Sequence, residues 1–379
     1  MKFCNLLVPF FLAVTGAAAA ANAAEPPAEP AKPAAAAASD KPLQKVLSEA
    51  LDAYVQKLAA RGDTHSLLAA AIVAPIRPTG AGQDPGIAAA STQVQGWLHQ
   101  AIAKGQDDAL VAWTEATVCT VAVKDVCDPA QASQRLLRLQ PGNAAVHLLR
   151  AGQAEAAKDS AEADRSFHQA ALAGSYHGPA SDMTGLVMTA LAGFDPGLST
   201  AQWKEFSTAM FGSANADPSN ALPAVRFMYA MAHSAVAAGL PIGPFVSRCR
   251  APVADDARRA DCIAVAKQLA AGDAVIDRNV GYTALIPLLK NDPAGKAARE
   301  SLRQYAWLYE TSLPLLQSMP EKPGLLAEYS SAFVIDGEIA AIGRVLAEAG
   351  KGSSPPQDWL PDNPRHRSLV QTGDLPAGN

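Results

Sequence analysis

Between Leu43 and Leu58 the apolar residues Leu43, Val46, Leu47, Leu51, Tyr54, Val55 and Leu58 recur at helical spacing, with Lys45, Ser48 and Glu49 among the polar residues between them. That period marks one buried helix face. The helix is expected to end at Arg61-Gly62, where a cation and a glycine suit a C-terminus. The same reading predicts helices over 64–75, 88–103, 107–121, 129–139, 144–157, 161–173, 180–193, 199–212, 219–238, 254–271, 275–290, 293–317 and 323–349. Ser199 or Thr200 can cap the one that carries Phe206. Alternating strand patterns are scarce; the nearest, "SAFVIDGE" at 331–338, is short. The predicted fold class is all-α.

The two ends of the chain break this pattern. Lys2 precedes an apolar run from Leu6 to Val14, and Ala21-Asn22-Ala23 fits the small-x-small rule of signal peptidase. Residues 1–23 are therefore expected to be a signal peptide cleaved after Ala23. The run contains Pro9 and falls short of the ~20 residues of a membrane span. Retention as an anchor is the alternative. Cys4 stands before the apolar core, which argues against a lipid anchor. No stable membrane insertion is expected after cleavage, and the expected location is periplasmic or secreted. Residues 24–41 read as a Pro/Ala-rich disordered linker. Residues 350–379 are rich in Pro and Gly and read as an extended C-terminal tail, with Trp359 and Leu360 against the body. The helical domain then spans 42–349, and the polar run near 213–220 offers a point of subdivision.

Charge narrows the partners. With 31 cations against 36 acids the formal charge is −5, and it is more negative once Lys2 is removed. Nucleic acid needs a basic footprint, and anionic lipid a polybasic patch; neither is present. Of five cysteines, Cys4 leaves with the signal, and Cys119, Cys127, Cys249 and Cys262 remain. An even number in an exported chain predicts two disulfides. Spacing favours Cys119–Cys127 and Cys249–Cys262, although the cysteines by themselves allow other connectivities. Such short loops would contribute about 2.6 and 3.0 kcal/mol by chain entropy. A zinc site would favour close C-x-x-C pairs, which are missing.

The segment Leu139–Gly174 reads as two short helices with a break at "AKDSAEA". Counted from Ala144, the residues Ala151, Ala163, Phe167 and Ala170 fall at the small, small, aromatic and small positions of the tetratricopeptide pattern. One repeat length earlier, Trp113 stands in the place of His147 and Pro141 in that of Ser175, both preferred types. The chain thus resembles the tetratricopeptide-like helical-repeat superfamily over roughly residues 107–175. It departs from the pattern at Arg150, Ala154 and Pro129. The whole chain is also similar to exported helical proteins of bacteria, a likeness that brings no activity. The resemblance implies stacked antiparallel hairpins, an α-solenoid in which each unit contacts its neighbours. It also implies a ligand groove lined by Ala145, Leu148, Gly152, Glu155 and Ala156, a small, apolar and slightly acidic surface. The Lys/Asn pair that clamps a peptide carboxylate in some relatives is lacking.

Catalytic signatures are sparse. There is no G-x-S-x-G, no H-E-x-x-H, no phosphate-binding loop and no dinucleotide fingerprint. Among the seven histidines, His147 and His168 could approach across the hairpin near His177, but none shows the spacing of paired zinc ligands. No cofactor or metal is expected. The acid pairs Asp107-Asp108, Asp255-Asp256 and Asp336 with Glu338 fall at turns or helix starts, where they suit the helix dipole. The segment Arg299–Glu321 faintly resembles the soluble lytic transglycosylase signature, with Glu300-Ser301 and Gln317-Ser318-Met319-Pro320 as the matching positions. That likeness implies Glu300 as an acid on a glycosidic oxygen. The leading expectation is a non-enzymatic exported scaffold that engages a protein or peptide; the alternative is a peptidoglycan hydrolase that uses Glu300.

Overall fold

Asp and Asn side chains start most of the helices in the computed structural model, which describes residues 43–74, 92–122, 127–211, 218–239, 241–250, 253, 255–319 and 322–376. The expected signal and linker at 1–41 lie outside the described residues, as does most of the subdivision point near 213–220. In chain order the helices are α1 (Leu43–Ala59), α2 (Thr64–Val73), α3 (Thr92–Lys104), α4 (Ala109–Ala122), α5 (Pro129–Leu139) and α6 (Ala144–Ala156). They continue as α7 (Ser160–Leu172), α8 (Ala180–Leu191), α9 (Thr200–Phe211), α10 (Pro218–Ala238), α11 (Gly243–Arg248) and α12 (Asp256–Ala270). The last are α13 (Val275–Leu288), α14 (Pro293–Ser318), α15 (Pro323–Asp336), α16 (Glu338–Glu348) and α17 (Pro364–Thr372). The chain is all-α, with no strand among the described residues and a single parallel bridge between Asn143 and Ser175. None of the helices described is long and apolar enough to cross a membrane.

Capping explains where the helices begin. Asp63, Asp128, Asp159, Asp255 and Asp292 each accept a backbone N–H from the first turn of the helix they precede. Pro129 and Pro293 occupy first-turn positions, where their missing N–H leaves no bond unmade. Asn143 does more. Its Oδ1 accepts from Ala145 N and from His177 N, both at 3.0 Å, and its Nδ2 donates to His177 O at 2.8 Å. One side chain thus caps α6 and pins the segment that follows α7.

Consecutive helices pair as hairpins: α2 with α3, α4 with α5, α6 with α7, α12 with α13 and α15 with α16. Small residues allow the approach. Ala151, Ala163 and Ala170 are fully buried in the α6/α7 hairpin, with Phe167 filling the space between. At Gly281 in α13, any β-carbon would overlap the Ala270 backbone of α12. The α12/α13 hairpin then packs on α7 after a long detour of the chain. Gln268 Nε2 donates to Ala170 O at 3.2 Å and Ala173 O at 2.7 Å. The detour carries α8 and α10 back against α2. One core accordingly joins α4–α7 with α11–α14 and α17, a second joins α1–α4 with α8–α10, and a third lies between α10, α15 and α16.

Three sequence expectations change. The helix expected over 323–349 is two helices, because Gly337 takes φ 86° and a β-carbon there would lie 2.7 Å from Asp273 Cβ. The tail at 350–379 is not wholly extended. Asn363 and Pro364 start α17, Gly373 ends it in a left-handed conformation, and Leu369 is fully buried against the core. Trp359 does meet the body, edge to face on Trp307 at 5.2 Å. The short α11 was not anticipated.

Candidate functional site

The expected groove on α6 is closed by the chain itself. Ala145 and Leu148 are fully buried in the core. A β-carbon on Gly152 would lie 3.2 Å from Pro244 of α11. Glu155 Oε1 accepts from Arg248 Nε at 2.8 Å, and Arg248 also pairs with Asp164 and lies over the Phe167 ring at 5.6 Å. Of the five expected lining residues, only Ala156 stands exposed and unengaged by α11. The correction has a plain cause: α11 is six residues long, starts Gly243-Pro244, and has too few positions to show a period.

A disulfide holds this strap. Cys249, directly after α11, bonds to Cys262 in α12 with Cα atoms 5.5 Å apart. The expected Cys119–Cys127 pair lies outside the described residues, because the Cys119 side chain is not among them.

The hydrolase geometry does not form at Glu300. The side chain is exposed, and Arg303 donates to both of its oxygens, at 2.9 and 3.0 Å. That pairing holds the carboxyl below its ordinary range, the reverse of what a general acid needs. Moreover, Glu300 and Gln317 lie on the same helix, α14, roughly 25 Å apart along its axis at 1.5 Å per residue. They cannot share one cleft.

The histidines separate as well. His147 Nε2 meets Pro141 O at 3.1 Å, His168 Nδ1 meets Asp261 at 3.0 Å, and His177 Nε2 meets Asp182 Oδ2 at 3.0 Å. Among the described residues no group of three His, Cys, Asp or Glu side chains could hold a metal ion.

The densest set of titratable groups lies elsewhere, where the segment after α7, the α12–α13 turn and the α15–α16 elbow meet. Asn143 places Tyr176 and His177. Tyr176 OH donates to Asp277 Oδ1 at 3.1 Å, in the first turn of α13. His177 Nδ1 is 3.5 Å from Asp273 Oδ2, while its other nitrogen faces Asp182. No side chain of its own segment caps α13; instead Glu338, from the start of α16, turns its carboxylate onto Val275 N at 2.7 Å. Asp277 is 4 % exposed. Burial pushes its carboxyl up to about 7, against the Tyr176 hydrogen bond, with Asp273 and Glu338 adding to the rise. Burial likewise pushes Glu338 up to about 7 against the pull of the Val275 amide. His177 is raised, first by its bond to Asp182. The cluster can therefore gain and lose protons around neutrality. Of its members the sequence reading singled out Glu338, as a turn acid, and His177; Tyr176, Asp273 and Asp277 escaped notice because folding alone brings these residues together.

A second polar feature is an open cleft of about 420 Å³ lined by His99, Gln106, Glu115, Asp128 and Gln131 among others. At Glu115 it borders a buried ion pair: Glu115 binds Arg135, whose Nη1 also donates to Gln106 Oε1 at 3.1 Å. No family model, no curated protein and no solved structure matches this chain.

Proposed function

We propose that the chain is an exported, non-enzymatic scaffold of tetratricopeptide-like hairpins that works by engaging a protein partner. The observation that carries this reading is the row of hairpins α4/α5, α6/α7 and α12/α13, which share one core although a long detour interrupts them. Rows of this kind offer extended surface for recognition and need no enclosed reaction centre. Export is supported by the leading apolar run with its Ala21-Asn22-Ala23 site and by the Cys249–Cys262 disulfide.

With α11 seated on α6, a partner would use other surface. Exposed apolar side chains mark places to probe: Leu172 at the end of α7, Val246 on α11 and Ile335 on α15 are each half exposed or more. Photo-crosslinking residues introduced at these three positions in living cells, followed by mass spectrometry, test the reading. A discrete protein adduct from at least one position is expected. Only unmodified chain at all three would overturn it.

A further inference from the structure

We propose that the elbow at Gly337, where α15 turns into α16, is a pH-operated latch: protonated, it clasps the start of α13, and on losing protons it opens. The clasp consists of few bonds. Glu338 Oε2 accepts from Val275 N at 2.7 Å, and Ile339 N donates to Asp273 O at 3.0 Å. Gly337 sits against Asp273 in a backbone conformation that other residues rarely adopt. Beyond the elbow, Phe227 of α10 meets Tyr329 and Phe333 of α15 edge to face, at 5.5 and 5.7 Å. Those contacts anchor the hairpin away from the latch, so the elbow can open while α15 stays attached.

The charge around the clasp is one-sided. Asp182 faces it from α8, Tyr176 and His177 from the segment after α7, and Asp273 from the α12–α13 turn. Asp277 comes from α13, Tyr305 and Tyr309 from α14, Tyr329 from α15 and Glu338 from α16. The arginines are committed elsewhere. Arg278 donates from Nε to Gly272 O at 2.8 Å, and Arg344 pairs with Asp336. Among the described residues neither Asp277 nor Glu338 has a cationic side chain within ion-pair distance, apart from His177 nearby.

Both inward carboxyls titrate near 7, and His177 is raised as well. A rise through neutrality thus ionises two carboxyls and removes the imidazolium charge at the same place. Each step adds negative charge beside Asp273 and Asp182, and buried like charges repel. All three changes oppose the clasp. A fall in pH reverses them.

Amide hydrogen exchange on the full chain, corrected for the intrinsic pH dependence of exchange, tests the latch. Between about pH 5.5 and about 8.5, protection of residues 338–346 is expected to fall roughly tenfold or more, while α6 changes by less than about twofold. The double variant Asp277→Asn/Glu338→Gln keeps both acceptor oxygens but cannot ionise, and is expected to remove the difference. An elbow whose protection tracks that of α6 at every pH overturns the proposal. So does a folded double variant that retains the wild-type drop. If that variant does not fold, the wild-type contrast decides.

Discussion

Arg248 reaches from α11 to Glu155 on α6, Nε to Oε1 at 2.8 Å, and so closes the face that a helical-repeat groove would leave open. The guanidinium is only 12 % exposed, also pairs with Asp164, and covers the Phe167 ring. Arg248→Ala is expected to lower stability by about 1–3 kcal/mol, since a partly desolvated cation on a ring and two carboxylates is more valuable than a solvated pair. Arg165→Ala removes an exposed i,i+3 pair with Glu162 and should change stability by less than about 0.5 kcal/mol. Urea denaturation of the two variants checks the ordering.

Glycine positions give a contrast of sign. Gly281→Ala places a methyl on the Ala270 backbone and forces α12 and α13 apart, so a loss of more than about 2 kcal/mol is expected. Gly343 in α16 has open space where a β-carbon would go. Gly343→Ala should therefore stabilise the chain by about 0.5–1 kcal/mol through helix propensity. Thermal melts distinguish the two directly.

The Glu115–Arg135 pair is buried on both sides, each side chain 3 % exposed. Glu115→Gln leaves a guanidinium without its counter-charge and is expected to cost about 3–5 kcal/mol. Replacing both partners, as in Glu115→Leu/Arg135→Met, should cost clearly less than the single change. Denaturation midpoints of single and double variants supply the cycle.

Stability should pass through a maximum in mildly acidic solution. Asp277 and Glu338 bind protons more tightly when folded, so their contribution is present below about 4 and is lost as pH rises through about 7. For Asp277, moving from 3.8 to about 7 corresponds to roughly 4 kcal/mol. His366 has the opposite sign. Burial, then Arg365, depresses its imidazole to about 4, so its contribution is present above about 6.5 and is lost as pH falls through about 4. Asp277→Asn is expected to flatten the alkaline limb and His366→Gln the acidic one, in urea titrations across that range.

How much of this was legible depends on length and locality. The starts at Pro129 and Pro293 could be read from an Asp-Pro step before an apolar period, and the α6/α7 hairpin from its spaced alanines and Phe167. The break at Gly337 could not, because helical residues flank it on both sides and the reason for the turn, Asp273, is remote in the chain. The helix α17 hid in a Pro/Gly-rich stretch whose composition outweighed its short period. The groove residues were placed on the right helix, but what covers them comes from α11, about ninety residues later. The acid cluster was invisible for the same reason: Tyr176, Asp277 and Glu338 share no local pattern, and only their burial changes their chemistry.

The account turns on a strap fastened over α6 by a bond that forms outside the reducing cytosol. Peptide mapping of the exported chain, alkylated in denaturant without reduction, tests this most directly. A Cys249–Cys262 linked peptide is the expected result. Free, alkylated Cys249 and Cys262 in that material, or either one bonded to Cys119 or Cys127, would contradict it.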